Sequence, residues 1–491
     1  MLLMTLACAP KQVEFVEPDP QSELQGQEER AAEPGRDQVL ELVRLASMAM
    51  AMGEDDLADR TLTTAALKMQ DFRAEGAFRA SVGVESAKEW KGEPFEKMMA
   101  FLYLAQWRYQ RGDYSNALAM TKNAILADTG TNRDQYRADF IPAFILQALC
   151  YEALHERSNA ERSLGTAIDG LWSRALTDSL TQTLSETTLD DSQHDPTEVD
   201  AARVLLLGGL PVGLQNAPRD PERAIELALS WASDARGIAV NSKRADWPEA
   251  LSSMKKSDLK KAFDHLAPLA HAWQEKRESL DDKTVAQLEA DEAFILGLLD
   301  DPGVLLWVET GWGPAKVAEG RYGEVLTLRP RQQGAFPSMT LDGAPVDAHY
   351  VDSVTWQATT RGGRVVDGFL KGKAVFKDTA GILGLTLIYA GDIASYSDDG
   401  PVGTILIIAG AVLYIGGALT NPRADTRAWD MLPDAIFLVR LDPEPGRHDL
   451  AIDGRKYTLE VPETGGVVRW LPRLAPGGPR TIGTPATGGT P

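Results

Sequence analysis

"FLYLAQWRYQRGDYSNALAMTKNAILAD", residues 101–128, decides the architecture. Apolar residues recur at helical spacing on both sides of Gly112-Asp113-Tyr114, and Ala117 and Ala124 stand seven apart. Two helices cross closely only where side chains are small, so alanines at this interval predict a helical hairpin. Phe101, Leu104, Ala105, Tyr109, Gly112, Tyr114, Ala117 and Ala124 fall where a tetratricopeptide repeat wants them, while Arg108 and Thr121 depart from it. A second copy runs through "AFILQALCYEALHERSNAERSLGTAI", residues 143–168, with Phe144, Ala148, Tyr151, Ala160, Leu164 and Ala167 in matching places. Ala117 and Ala160 are 43 residues apart. The repeat is about 34 residues long, so an extended loop is expected between the copies.

Working outward, the helical pattern extends from residue 37 to about 300. Residues 38–70 read as two amphipathic helices joined at Gly53, and "DPERAIELALSWA" is a weak further copy. The acidic stretch "SETTLDDSQHDPTEVD", residues 185–200, has no Lys or Arg and reads as an exposed loop. Helix signals resume at 201–210, 222–235, 256–275 and 283–299. Near residue 300 the period changes. "VLLWV", "GEVLTL" and "SMTLDG" are short β-rich runs, and "AIFLVRL", "RHDLAI", "KYTLEV" and "GVVRWL" follow after residue 434. Asp453-Gly454 is a two-residue hairpin signal.

The predicted class is therefore α+β. Tetratricopeptide-like helical repeats over 37–300 precede a small antiparallel β-domain over 301–472, which carries a glycine-rich helical insertion at about 346–420. Residues 9–36 and 473–491 are expected to be disordered.

The insertion holds "VGTILIIAGAVLYIGGAL", residues 402–419, without a charge. A helix of that length is about 27 Å long, against a hydrocarbon core of about 30 Å. Gly403, Gly410 and Gly417 repeat every seven residues, as do Gly384 and Gly391 in the preceding apolar segment. Two such helices can pack backbone to backbone over 379–419. A single crossing would put the two groups of strands on opposite sides of a bilayer with bare edges. A hairpin buried against the β-domain is expected, with a hairpin dipping into the bilayer as the alternative.

Of 491 residues, 50 are Lys or Arg and 71 are Asp or Glu, for a net charge of −21. That argues against nucleic acid, whose phosphates demand clustered cations. Only Cys8 and Cys150 are present, too few for a zinc site, and Cys150 sits on an apolar helical face. "MLLMTLACAPKQ" places Ala7 before Cys8 after a short apolar run, like a lipobox, although the leader is short and Thr5 stands where Leu is usual. A start upstream of Met1 would account for the short leader. Residues 1–8 are accordingly assigned as a signal remnant, and Cys8 as the lipidation site.

Three stretches together resemble one family: "EWKGEPFEKMMAFLYLAQWRYQRGDYSNALAM", "VLLWVETGWGPAKVAEGRY" and "ADTRAWDMLPDAIFLVRLDPEPGRHDLAI". This is an uncharacterised group of bacterial envelope lipoproteins with tetratricopeptide-like N-terminal halves. The resemblance spans residues 86–452 with gaps, and the acidic insert and long tail depart from it. It implies a lipid-anchored protein on the periplasmic side of the envelope, at the outer membrane ahead of the inner, and it carries no activity over.

Catalytic patterns are scarce. His155, His194, His265, His271, His349 and His448 form no metal-binding spacing. "GFLKGKA" lacks both the spacing and the hydroxyl of a phosphate loop. No catalytic, cofactor-binding or metal-binding residue is assigned. Tyr103, Trp107 and Tyr109 are candidates for a groove that receives a partner protein, with packing between helices as the plainer reading of each. The expected role is a protein–protein scaffold of the envelope. The rivals are an integral protein with a hairpin at 379–419 and an envelope enzyme acting on peptidoglycan through carboxylates.

Overall fold

In the computed structural model the described residues are 19–69, 89–129, 138–189, 196–239, 256–276, 280–300, 303–319, 325–360, 424–463, 467–471 and 480–482. The chain is α+β: helices occupy the N-terminal part, and small, mostly antiparallel sheets follow. Cys8 and the segment 379–419, with the expected stripe of Gly384, Gly391, Gly403, Gly410 and Gly417, lie outside the described residues.

Seven helices lead, each packed on the next: α1 (Pro20–Ala32), α2 (Gln38–Met52), α3 (Asp55–Met69), α4 (Pro94–Gln110), α5 (Tyr114–Asp128), α6 (Ile141–Ala153) and α7 (Arg157–Glu186). The α4–α5 hairpin turns at Gly112, whose φ of 74° suits glycine, and Asp113 caps α5 by accepting the Asn116 amide. Ala105, Ala117 and Ala124 are fully buried between α4 and α5. Ala148, Ala160 and Ala167 are likewise buried in the α6–α7 pair. Tyr114 and Tyr151 are half-buried, Tyr114 edge-on to Tyr109 with ring centres 5.1 Å apart. Ala117→Trp should therefore overpack the α4–α5 crossing and cost about 1–3 kcal/mol. A thermal melt unchanged from the parent would place Ala117 away from the crossing.

Helix α1 corrects the expectation of a disordered tether through residue 36. Its N-cap Asp19 accepts the Ser22 amide, Pro20 opens the first turn, and Leu24 and Ala31 bury one face against α2. A polar composition hid an amphipathic stripe only two residues deep.

At 30 residues α7 is about 45 Å long and serves two cores. Its first half packs in the main core. Leu176, Leu180 and Leu184 join a second core with α8 (Pro196–Asn216), α9 (Pro221–Ala239) and α10 (Lys256–Lys276). There the Trp273 indole N–H donates to the Leu180 carbonyl at 3.0 Å. The acidic stretch 185–200 is a loop only in part. It includes the end of α7 and the start of α8, where Glu198 is buried and meets Lys261 at 2.7 Å and His265 at 3.3 Å. Helix α11 (Asp282–Gly297) packs on α7 and leads into the sheets.

The strands are β1 (Val304–Thr310), β2 (Ala315–Glu319), β3 (Val325–Arg329), β4 (Met339–Leu341), β5 (Ala344–Val346) and β6 (His349–Ser353), then β7 (Ala435–Leu441), β8 (Gly446–Ile452), β9 (Arg455–Val461), β10 (Val467–Leu471) and β11 (Arg480–Ile482). The short helix α12 (Val354–Thr360) follows β6. One sheet runs β10-β1-β7-β6, a second β11-β9-β8-β4-β5, and β2 pairs with β3. Strand β1 lies antiparallel to β7 and parallel to β10, so strands from both sides of the insertion share one sheet.

That sheet is buried on both faces, which is why "VLLWV" is apolar without alternation. Leu305, Trp307, Ile436 and Leu438 join the helical core. Val304, Leu306, Val308, Phe437 and Val439 meet Leu450, Ile452, Tyr457 and Leu459 of the second sheet. A division at residue 300 thus cuts through a shared core. Two more boundaries shift. The insertion expected from residue 346 begins later, because β6 pairs with β7; and residues 480–482, expected in a disordered tail, pair with β9.

Candidate functional site

Three stretches, residues 89–120, 304–319 and 424–452, converge between α2, α4, β2 and the strap 424–430. The first supplies the start of α4. Glu93 and Glu96 form a capping box: each carboxylate accepts the other residue's backbone N–H, with Pro94 opening the helix. The second supplies Lys316 on β2, whose side chain is 1 % exposed. Its Nζ donates to Glu96 Oε2 at 2.6 Å and to the Arg427 carbonyl at 2.9 Å, and lies 3.6 Å from Glu93 Oε1. The rings of Trp90 and Phe95 stand 5.8 and 5.9 Å from the ammonium.

The third stretch closes the clasp. The Trp429 amide donates to Glu96 Oε1 at 2.7 Å, and its indole N–H to Ser47 Oγ on α2 at 2.8 Å. The Trp90 indole donates to the Arg427 carbonyl at 3.1 Å. Arg427 itself forks onto Asp425 and reaches Asp37, the residue before α2, at 2.6 Å.

Burial drives the Glu96 carboxyl above its ordinary range, and Lys316 offsets this only in part. Asp425 is also pushed up by burial, but the Arg427 fork outweighs that and holds it below the ordinary range.

A second interior clasp joins α7 to β6 and α12. Arg174 Nη1 lies 2.8 Å from Asp352 Oδ1 as a buried ion pair, and its guanidinium stacks 4.3 Å over Trp356. Asp352 Oδ2 accepts the Ile141 amide at 3.0 Å. Burial raises Asp352, and Arg174 opposes it.

In front of the first clasp is an open cavity of about 500 Å³ between α2, the 314–316 turn, Arg331 and the strap. Arg44 on its wall is held by Glu41 at 3.0 Å and Asp430 at 3.1 Å. Arg331 Nε donates to the Gly313 carbonyl and Nη2 to the Asp430 carbonyl, both at 2.6 Å.

Of the two readings of the repeat aromatics, the structure shows packing between elements and no groove at these residues. Tyr103 is buried, its hydroxyl donates to Glu309 at 2.5 Å, and its ring meets Trp429 edge-on. Trp107 is buried, and Tyr109 is half-buried beside Tyr114. These side chains weld α4 to its neighbours, because a helix covered on one side by α5 and on the other by the sheet has no free aromatic face. Cys150 is buried and unbridged, and burial pushes its thiol up to about 12. Among the described residues no group of three His, Cys, Asp or Glu could hold a metal ion, and no helix is long and apolar enough to cross a membrane.

Spacing along the chain does not reveal the clasp, because Lys316 is 220 residues from Glu96 and Trp429 is 333 from it. The signal in the sequence is indirect: charged and aromatic residues concentrate in the three stretches that meet here.

At the surface, His448 Nδ1 is 2.7 Å from Asp342 Oδ2 and Nε2 is 2.7 Å from the Glu444 carbonyl. With acceptors on both ring nitrogens, the charged form is favoured and the pKa rises above the usual 6.5, chiefly through the Asp342 bond. A raised imidazole contributes stability that is complete below the unfolded pKa and lost as pH rises through the folded one. An NMR titration of His448 should show a midpoint above 6.5, and Asp342→Asn should lower it. An unmoved midpoint would remove the Asp342 bond as its cause.

Compared with protein-family models, curated protein sequences and solved structures, the chain matches none.

Proposed function

We propose that this chain is a lipid-anchored scaffold of the bacterial cell envelope, acylated at Cys8, that works by binding other proteins. The observation that carries the reading is the array of antiparallel helical hairpins, α1 to α7, fastened to the sheets by buried ionic clasps. Stacked helical hairpins present extended surfaces suited to segments of partner proteins. The polar residues that the fold draws together are spent on each other and on backbone groups, as rigid architecture requires. The resemblance to envelope lipoproteins and the Ala7-Cys8 junction support the location. A net charge of −21 suits neither nucleic acid nor a polybasic lipid dock, and no cofactor enters the reading.

In cells expressing the chain from its native gene, labelled fatty acid should enter the protein, and Cys8→Ser should abolish the label and release the protein to the soluble fraction. Membrane association unchanged by Cys8→Ser would refute the anchor and favour insertion by 379–419. Crosslinking in the envelope followed by mass spectrometry should return a reproducible partner, and failure to do so would count against the scaffold.

A further inference from the structure

We propose that the outer edge of β9 is an interaction surface for β9 of a second copy of this chain, and that β11 caps it. The second sheet has two ends. At one, β5 is three residues long and holds Pro345, which has no N–H to offer an added strand. At the other, β9 is seven residues long, and β11 pairs with only Tyr457, Thr458 and Leu459 of it. Among the described residues, Arg455, Lys456, Glu460 and Val461 have no strand on that side. A long edge with unpaired backbone groups is a template for another chain, so something must cover or block it.

The sequence of β9 selects the occupant, because it complements itself. Laid antiparallel on a second copy about Thr458, it sets Tyr457 opposite Leu459 and Lys456 opposite Glu460, each pair occurring twice by symmetry. Tyr457 and Leu459 are buried and face the core between the sheets, so the pairing carries that apolar layer from one copy into the next. Lys456 and Glu460 are exposed on the outer face. Neither is in an ion pair among the described residues, and Arg447, across from Glu460 on β8, forms none with it. Two uncommitted cations therefore meet two uncommitted carboxylates. A register moved by one residue turns the apolar side chains to the outer face, and one moved by two loses both charge pairs.

Strand β11 holds the edge through proximity more than through strength. Its pairing with β9 is parallel, the slightly weaker arrangement per residue, and spans three residues, whereas the self-pairing is antiparallel and spans the whole strand. Residues 472–479 tie β11 to β10, and a tether that short sets an effective concentration of about millimolar. A second copy at micromolar concentration loses to β11 while β11 can pair, and gains the edge once it cannot.

The test is sedimentation equilibrium of the full chain at micromolar concentration, with Cys8→Ser throughout so that no acyl anchor intervenes. The parent should sediment as a monomer of 53.4 kDa. Thr481→Pro removes an N–H from the middle of β11 and should yield a dimer, as should a second form that ends at Leu471. Adding Lys456→Glu to either should weaken the dimer about tenfold or more, because both charge pairs become repulsions. The exchange Lys456→Glu/Glu460→Lys should restore it. Monomers in both the Thr481→Pro chain and the shortened one overturn the proposal. A dimer indifferent to Lys456→Glu uses another surface and overturns it too. A parent already dimeric, and weakened by Lys456→Glu, would show that β11 caps nothing.

Discussion

Lys316→Met should destabilise the chain by about 3–5 kcal/mol, the usual result of removing one partner from a buried ion pair. Glu96 has no exposed surface, and after the substitution its carboxylate keeps only the Glu93 and Trp429 amides. The double variant Lys316→Met/Glu96→Gln should regain part of the loss, since the neutral amide oxygen can still accept those two N–H groups and the Glu96 charge is gone, while that of Glu93 remains buried. Denaturant midpoints of the parent, single and double variants check this, and a single variant as stable as the parent would remove the clasp from the account of stability.

The effect should depend on pH with a definite sign. In the parent, burial raises Glu96, so the folded chain holds its proton more tightly than the unfolded chain. That contribution is complete below the ordinary value of 4.5 and is given up as pH rises through the folded pKa. Without the ammonium the carboxyl rises further and takes up a proton, which neutralises the stranded charge. The penalty of Lys316→Met should therefore be largest near neutral pH and shrink on acidification. A penalty that grows on acidification would contradict a stranded carboxylate.

Gly213→Ala should cost about 3 kcal/mol or more, at the upper end of the overpacking range. A Cβ there would lie 2.1 Å from the Ala224 carbonyl oxygen, and one at Gly209 would lie 2.5 Å from that of Ala228. Both neighbours are backbone, so relief requires α8 and α9 to separate, which opens the second core. Gly165→Ala is the control. It lies in α7 with nothing within 4 Å of the added Cβ and should stabilise by about 0.4–1 kcal/mol. Thermal melts of the two variants should move in opposite directions. If Gly213→Ala melts no lower than the parent, the close crossing is wrong.

Much of the fold was legible along the chain. The α4–α5 and α6–α7 hairpins follow from alanines at helical spacing and from Gly112, and the continuous apolar run of β1 marks a strand covered on both sides. The Asp453-Gly454 turn has positive φ at both residues, as the pair predicts. An equivalent turn, Asp342-Gly343 between β4 and β5, shows the same signature and extended the hairpin count. Helix α1 escaped notice because its stripe is narrow, and β6 because its pairing partner β7 lies far along the chain.

Periodicity, capping and turn chemistry are properties of a few adjacent residues, so the sequence by itself determined most of the helices after residue 37, the main strands and the change of class near residue 300. The tertiary structure decided whether a given polar residue is solvated or sealed. Lys316, Glu96, Arg174 and Asp352 look like ordinary surface charges in the sequence, and only the closing of the helices onto the sheet removes their water and makes each the obligatory partner of another. Likewise the small size of Gly213 matters only because Ala224 arrives against it. Desolvation and close packing depend on what the rest of the chain brings to a point in space, and no spacing within one segment encodes that.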